Sequence, residues 1–279
     1  MARRPVRCRV ACCAAAIEPA KPGHLALTIH KQKDRKTMLL FYSPFHRFVH
    51  KVLVAIHETG LGDDVELVPT FPFRNADGEW VEGQYDISML NPLGKVPTLT
   101  ADDGTVLYQS QVIVEYLDSI SKANKLYPAG GPERFDALRR LGLGDSIFDF
   151  AVQMSMEGWR DEGARRLDLY TWLWPKITRS FDFLEEECDG WSDFDIGDVG
   201  LLQGISYLDG MATGNDSLPE NPCHDWQGRW PKLAAWFQLS LQRPSVQVHY
   251  QKPFEGDASA QFHRSKVEQA LALAVRSGA

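Results

Sequence analysis

The chain has 279 residues, of which 44% are hydrophobic and 24% charged, and its formal net charge at pH 7 is −7. This length and apolar content suffice for a large core and about two domains. No stretch is as apolar as the roughly 18 residues of a membrane-spanning helix. The acidic balance argues against nucleic acid as the main partner, because phosphate neutralisation needs clustered cations. We therefore expect neither a membrane nor a nucleic-acid partner.

Residues 1–37 form a basic extension that differs from the rest of the chain. They carry nine Lys and Arg against two acidic residues, a net charge of +7, whereas the remainder carries −14. The first seventeen residues contain four arginines, no acid and the apolar run VACCAAAI. This composition is typical of a transit peptide or a weak secretory signal. A disordered extension or a mistaken start site accounts for it equally well, so organelle targeting stays an open alternative.

The cysteines and histidines indicate a reducing compartment without a metal site. The five cysteines form no disulfide framework, which favours a cytoplasmic protein without structural disulfides. The histidines show no spacing with Cys or acidic residues that is typical of zinc ligands. A thiol-disulfide oxidoreductase is disfavoured, because no cysteine lies in the loop before the first predicted helix.

The first folded segment predicts a strand, a helix and a second strand. Residues 39–42 and 65–68 are short apolar runs, and residues 48–59 carry apolar side chains at helical spacing. Because a helix connects the two strands, we expect them to pair in parallel. Residues 69–85 are rich in Pro, Gly, Asn and charges, which predicts a loop over one rim of the sheet.

The most informative segment is residues 91–118, NPLGKVPTLTADDGTVLYQSQVIVEYLD. Val96-Pro97 opens a short strand, an acidic Gly turn follows, and residues 106–108 complete a predicted hairpin. Because Pro97 lacks an N–H, its strand must begin there or lie at an edge, and a cis bond would turn the main-chain groups of Val96 outward. The apolar spacing then predicts a helix with Ser110 as its N-cap, where a carboxylate would be favoured.

Beyond a linker at residues 125–132 the pattern is helical, and no strand is predicted. The apolar spacing predicts one helix around residues 135–148, a second that starts near Pro175, and a later helix at residues 230–241.

Asp195 and Asp198 predict a buried helix start of the capping-box type. Phe194 and Val199 flank them as a hydrophobic staple, and we expect the two aspartates to serve folding rather than chemistry.

The chain divides into four predicted parts: a basic extension at 1–37, an α/β domain at 38–124, an all-α domain at 133–250 and a C-terminal extension at 251–279.

Several motifs together resemble the glutathione transferases, in particular their Ser-type bacterial-like branch. NPLGKVPTL and VLYQSQVIVEYLD are similar to the glutathione-binding half of that family. FYSPFHRFVHKVLVAIHETGL, PERFDALRRLGLGDSIFD, DFDIGDVGLLQGISYLD and RWPKLAAWFQLSLQRPSV agree with it in order, so the resemblance covers residues 38–250. It implies a thioredoxin-like domain followed by an all-helical domain, and an enzyme that activates the thiolate of glutathione, its co-substrate, for attack on an electrophile or a peroxide.

The loop after the first strand departs from the family pattern. Relatives read like SPTSPYVRK, whereas this chain reads SPFHRFVHK from Ser43 onward. The resemblance therefore places His46 where the thiol-donating serine belongs, and an imidazole N–H could also donate to a thiolate. Ser43 is the competing donor, although a cap of the following helix is its expected role. We expect Arg47, which replaces a proline, to be a solvated charge rather than a group that steers an anionic substrate.

The resemblance also implies the residues that bind glutathione. The main chain of Val96, next to Pro97, would pair with the cysteinyl unit, and Lys95 would meet the glycyl carboxylate. Gln109 and Ser110 correspond to the pair that holds the γ-glutamyl end. Relatives commonly have Asp or Glu in place of Gln109, so the contact to the ligand ammonium becomes a neutral hydrogen bond and weaker glutathione binding is expected.

A small hydrophobic electrophile is expected in a cleft between the two domains. Four residues are candidates for its wall, with ordinary core packing as the alternative: Phe45, Met154, Met156 and Trp159. The resemblance also implies a homodimer through the helices of Ser110 and Phe135. A noncatalytic glutathione-binding, dimerisation or scaffold module of the same fold is the second functional hypothesis, because the departures from the family pattern would be tolerated there.

Overall fold

The computed structural model describes residues 37–43, 46–70, 87–158, 160–191, 193–214 and 223–249. Within these ranges a four-stranded sheet with two helices precedes six further helices. The strands are Met38–Tyr42 (β1), Val65–Pro69 (β2), Thr98–Thr100 (β3) and Val106–Tyr108 (β4). The helices are Arg47–Glu58 (α1), Ser110–Ser119 (α2), Gly131–Gly158 (α3), Leu167–Glu187 (α4), Ile196–Gly214 (α5), Trp226–Arg229 (α6), Pro231–Ser240 (α7) and Pro244–His249 (α8).

This order confirms the predicted α/β thioredoxin-like domain followed by an all-α domain. The predicted loop lies outside the described residues except at its first two positions, and so do nearly all of the basic extension and the whole C-terminal extension. In the part of the chain that is described, none of the helices combines the length and the apolar character needed to cross a bilayer.

The sheet has the strand order β2-β1-β3-β4 and is mixed. β1 pairs in parallel with β2 and antiparallel with β3, and β3 forms an antiparallel hairpin with β4, as the sequence predicted. Successive side chains of β1 enter two different cores, since Leu40 joins the large core beneath α1 and α2 while Leu39 and Phe41 pack with Val68 on the opposite face. Burial on both faces explains why the whole of β1 reads as an apolar run.

Both serines that were expected to cap helices take other positions. α1 begins at Arg47 with His46 as its N-cap residue, so Ser43 lies four positions before the first helical residue and the capping prediction was wrong. At α2 the N-cap residue is Gln109, which has a φ of 71°, and Ser110 is already helical. A positive φ turns the chain sharply from β4 into α2, which shifts the helix boundary by one residue.

The second predicted helix of the all-α domain begins earlier than expected. α4 starts at Leu167 and contains Pro175 in its interior, so the predicted start near Pro175 was wrong. Its first turns are held by packing, because Tyr170 and Leu173 are each only 2% exposed and the Tyr170 hydroxyl donates a 2.9 Å hydrogen bond to the carbonyl of Met154. This packing outweighs the hydrogen bond that proline removes from the helix.

Helices α3 and α5 approach each other closely at glycines. A Cβ atom at Gly144 would overlap the main chain of Gly200, and one at Gly204 would overlap Gly144. The main chains can therefore meet only because these positions lack side chains. This contact holds α3, and with it Asp145, in a fixed position against α5.

The start of α5 is the predicted capping box. The Asp195 Oδ1 atom accepts the Gly197 N–H at 2.7 Å, and the Asp198 Oδ2 atom accepts the Asp195 N–H at 2.9 Å. Arg140 of α3 donates to both carboxylates, at 2.7 Å to Asp195 and 3.2 Å to Asp198, and Trp236 donates to Asp198 at 3.0 Å. The motif thus joins α3, α5 and α7, which confirms the structural role expected from the sequence.

Replacing Asp198 by Ala should lower the free energy of unfolding by about 2–4 kcal/mol, because Arg140, Trp236 and the main chain of Asp195 each lose an acceptor in a buried setting. Urea denaturation monitored by tryptophan fluorescence measures the loss. Asp193→Ala, at an exposed position before the same helix, is the matched control and should change stability by less than about 0.5 kcal/mol. Similar losses in the two variants would contradict the structural role of the capping box.

Candidate functional site

The N-terminus of α1 carries the imidazole of His46. The residue is extended, with φ −96° and ψ 115°, and its carbonyl accepts the Val49 N–H at 2.9 Å. The ring is half-buried and lies 6.0 Å from the Phe48 ring, centroid to centroid. Its Nδ1 atom is buried and has no hydrogen-bond partner among the described residues. The imidazole is therefore a polar group at the positive end of a helix, and it can form further hydrogen bonds.

Burial lowers the pKa of His46, and the positive charge of Lys95 lowers it further. Because the ordinary pKa of imidazole is about 6.5, the ring is neutral at physiological pH. A neutral imidazole keeps one N–H, so His46 can donate a hydrogen bond without carrying a charge. The structure therefore favours a neutral imidazole over an imidazolium as the donor.

Two neighbours of His46 differ from expectation. Arg47 is only 4% exposed and lies 3.2 Å from the Nδ1 atom of His50, so the prediction of a solvated charge was wrong. Its guanidinium instead lies against the imidazole of His50, one turn further along α1. Ser43 is only 2% exposed, and its carbonyl accepts the His46 N–H at 3.1 Å. A thiol can reach the half-buried imidazole more readily than this enclosed hydroxyl.

The loop before β3 contains the cis peptide bond that the sequence suggested at Val96-Pro97. Asn91, which is 1% exposed, holds this loop through its side chain. Its Nδ2 atom donates to the Lys95 carbonyl at 2.8 Å and to Thr98 Oγ1 at 3.2 Å, and its Oδ1 atom accepts the Leu93 N–H at 3.0 Å. The sequence analysis assigned Asn91 no role, although an Asn-Pro pair is a known turn signal.

The register of the sheet brings three chain segments to one edge. Thr98 pairs with Phe41 on one side and with Tyr108 on the other. The next positions along these strands therefore bring Pro97 close to the end of β1 and to Gln109. The predicted residues from the α1 loop, the cis-proline loop and the start of α2 thus converge: Ser43, His46, Lys95, Val96, Pro97, Gln109 and Ser110.

This edge presents main-chain groups and one charged side chain to a ligand. Gln109 is exposed, Ser110 is 5% exposed, and the Gln109 side chain makes no capping bond to the first turn of α2, whose N–H groups face this edge. Lys95 is exposed and lies near enough to influence His46 electrostatically. Two helix N-termini and one ammonium group at the same edge form a site suited to an anionic ligand.

Of the residues proposed for the second-substrate wall, Met154 does not fit. Its side chain is fully buried in the all-α core, so it cannot line an open cleft and that assignment was wrong. Phe45 and Trp159 lie outside the described residues. Met156, two positions further along α3, is 55% exposed. Residues two positions apart on a helix point to different faces. The sequence did not define the helix precisely enough to show which of these two methionines faces the core.

A polar network joins the two domains next to this site. The ammonium of Lys51, which is fully buried, donates to Asp145 Oδ1 at 2.5 Å. The side-chain amides of Gln111 and Gln203 donate to the same carboxylate at 2.7 and 3.2 Å. Burial lowers the pKa of Lys51, and Asp145 opposes this shift. One carboxylate of α3 therefore binds α1, α2 and α5, a role that the sequence analysis missed.

Comparison with known proteins agrees with this geometry. The model of the glutathione S-transferase N-terminal domain matches residues 46–120. A glutathione transferase family member from Pseudomonas fluorescens Pf-5, solved with bound glutathione, is 31% identical, with a TM-score of 0.64 over 76% of this chain and 98% of that one. A glutathione S-transferase from Methylobacillus flagellatus KT, also solved with glutathione, is 27% identical, with a TM-score of 0.65 and the same coverage.

Curated relatives match over shorter segments. The uncharacterized GST-like protein YibF of Escherichia coli K12 is 29% identical over 138 residues, which are 50% of this chain and 63% of that protein. The chain thus spans less than two thirds of the length of the curated relatives it matches. The fold and site define a thioredoxin-like domain joined to an all-helical domain. The chain belongs to the glutathione transferase family.

Replacing Asn91 by Ala should lower the free energy of unfolding by about 2–3 kcal/mol, because two buried acceptors and one N–H lose their partner. Asn91→Asp is the informative companion variant, since it keeps the acceptor for Leu93 and loses the donor to Lys95 and Thr98. We expect it to be destabilised as well. Thermal unfolding of the three proteins at one pH provides the comparison, and unchanged stability of both variants would contradict the role of Asn91.

Proposed function

We propose that this chain binds glutathione and transfers its thiolate to a small hydrophobic electrophile. The observation that supports this most directly is the convergence of His46, the cis Val96-Pro97 bond and the start of α2 at one edge of the sheet. Solved relatives that share the fold hold glutathione. Glutathione is thus proposed as the co-substrate of this chain.

In the proposed complex the tripeptide lies along the cis-proline loop. The main chain of Val96 pairs with the cysteinyl unit, as one strand pairs with another. Lys95 binds the glycyl carboxylate by charge, and Gln109 with Ser110 binds the γ-glutamyl end at the start of α2. This arrangement places the cysteinyl sulfur beside the N-terminus of α1 and the ring of His46.

Activation of the thiol is proposed to arise from two features of α1. The neutral imidazole of His46 donates an N–H to the sulfur, while the helix dipole favours its negative charge. A free thiol has a pKa of about 8.5, and each unit by which it falls corresponds to about 1.36 kcal/mol. The thiol proton passes to solvent as the thiolate forms. With a chloronitrobenzene the sulfur–carbon bond then forms, and chloride leaves with the electron pair of the carbon–chlorine bond.

His46→Ala should lower kcat/KM for conjugation of chlorodinitrobenzene by about tenfold or more, because the thiolate loses a hydrogen-bond donor worth at least one pKa unit. Ser43→Ala should have a smaller effect. Binding of glutathione, measured by calorimetry, should persist in both variants. Because burial holds the pKa of His46 below 6.5, the ring stays neutral as pH rises from 6.5 to 8, and kcat/KM should follow thiol ionisation alone.

Three outcomes of this comparison separate the alternatives. A fall of kcat/KM with rising pH near 6.5 would indicate a catalytic imidazolium instead of a neutral donor. A larger loss in Ser43→Ala would assign the donor role to Ser43. Intact glutathione binding without turnover of chlorodinitrobenzene or of a peroxide would favour the noncatalytic module over the transferase.

Gln109→Glu should strengthen glutathione binding by about three- to tenfold, because a charged acceptor replaces a neutral one beside the ligand ammonium. Gln238→Glu, at an exposed position of α7, changes the net charge equally and serves as a control for long-range attraction. The dissociation constants of the three proteins, measured at one ionic strength, decide the matter. An equal gain in both variants would show that the effect does not require the γ-glutamyl contact.

We further propose a homodimer through the exposed face formed by β4, α2 and the start of α3. Apolar side chains on this face are unusually exposed, with Val112 at 48% and Phe135 at 71%. Burial of such side chains against a second copy would remove them from water.

A cytoplasmic location accords with the lack of a disulfide framework in the sequence, and targeting by the basic extension is the alternative.

A further inference from the structure

Two side chains of α3 contact α1 in its first turns. Asp145 of α3 binds Lys51, and the ring of Phe148 meets that of Phe48 edge to face at a centroid distance of 4.7 Å. From Asp145 to Phe148 the chain of α3 advances by three residues, while its contacts on α1 move back by three residues, from Lys51 to Phe48. The two helices are therefore antiparallel here, and α3 leads toward the start of α1. The following turn of α3 must lie beside His46 and the space in front of it.

The face of α3 that follows Asp145 contains three residues at helical spacing, Asp149, Val152 and Met156. Asp149 is exposed, Val152 is half-buried and Met156 is 55% exposed. This stripe is accessible to a ligand, in contrast to the buried Met154. It forms an apolar wall with a single carboxylate at the end nearest to the proposed thiolate.

Charged groups from three elements surround this carboxylate. Asp145 lies one turn earlier on α3, Lys51 projects from α1, and Lys95 belongs to the cis-proline loop. Burial and Asp145 raise the pKa of Asp149, whereas Lys51 and Lys95 lower it. Lys51 already binds Asp145. The charge of Lys95 thus lowers the pKa of both Asp149 and His46.

Bound glutathione would change this balance, an argument that rests on the proposed function. Its glycyl carboxylate would bind Lys95, so the cation that faces Asp149 would be neutralised by the ligand. We propose that Asp149 is a specificity-determining residue, which favours second substrates with a cationic group beside their apolar reacting part and disfavours anionic ones. A cation in the cleft pairs with Asp149, whereas an anion there is repelled by it.

A matched set of electrophiles tests this proposal. We would compare 4-chloro-3,5-dinitrobenzoate, its neutral N-methylamide and its cationic N-(2-trimethylammonioethyl)amide, which react at the same carbon. Values of kcat/KM, each divided by the uncatalysed rate, are measured at pH 7.5 for the wild type and Asp149→Asn. The control is Glu186→Gln. Glu186 is exposed near the end of α4, so this substitution removes the same charge far from the cleft.

The wild type should prefer the cationic over the anionic electrophile by about tenfold or more, as expected for one charge pair in a partly shielded cleft. Asp149→Asn should reduce this ratio by at least fivefold and leave the neutral amide nearly unchanged. Glu186→Gln should retain the wild-type ratio. An unaltered ratio in Asp149→Asn, or an equal reduction in Glu186→Gln, would overturn the proposal.

Binding of the glutathione conjugates separates this proposal from the catalytic one. Calorimetry with the purified cationic and anionic conjugates needs no turnover, and the cationic conjugate should bind more tightly in the wild type but not in Asp149→Asn. If this preference is seen without turnover, only the catalytic proposal fails. If glutathione itself binds normally and the two conjugates bind equally well, the role of Asp149 is overturned and glutathione binding stands.

Discussion

The ion pair between Lys51 and Asp145 is the interaction on which the geometry of the cleft depends. A fully buried ammonium is costly to desolvate, and its partner offsets that cost only if the two groups stay in contact. Asp145 also accepts hydrogen bonds from Gln111 and Gln203, so a single carboxylate connects the α/β domain to two helices of the all-α domain. Displacement of α3 would leave a buried charge unpaired. The position of Asp149 relative to α1 follows from this constraint.

The glutathione side of the cleft depends instead on the register of the sheet. β3 lies between β1 and β4, so the residue that precedes it is next to the end of one strand and the end of the other. Pro97 occupies that position, and Asn91 fixes the approaching chain by three hydrogen bonds. The end of β1, the cis-proline loop and the start of α2 therefore meet at one edge of the sheet.

Local patterns in the sequence predicted what neighbouring residues determine. The hairpin, the parallel pair, the cis-proline position and the Asp195–Asp198 capping box each involve residues close in sequence or a regular apolar period. The predictions for Ser43 and Ser110 were wrong because the N-cap position depends on how a strand turns into a helix. The prediction for Met154 was wrong because it depends on which face of α3 is open. The Lys51–Asp145 pair joins residues 94 positions apart, so no local pattern could reveal it.

A histidine at position 46 changes how the proposed site responds to its ligand. Burial is the larger cause of the lowered imidazole pKa, and the charge of Lys95 is the second. In the proposed complex the glycyl carboxylate neutralises Lys95 and a thiolate lies beside the ring, so both changes offset part of the lowering, while burial, the larger cause, keeps the pKa below its ordinary value. Because linkage is reciprocal, protonation of His46 must then favour glutathione binding. A histidine at this position thus couples occupancy of the glycyl end to the hydrogen-bonding state of the group that faces the sulfur, which an uncharged serine hydroxyl does not do.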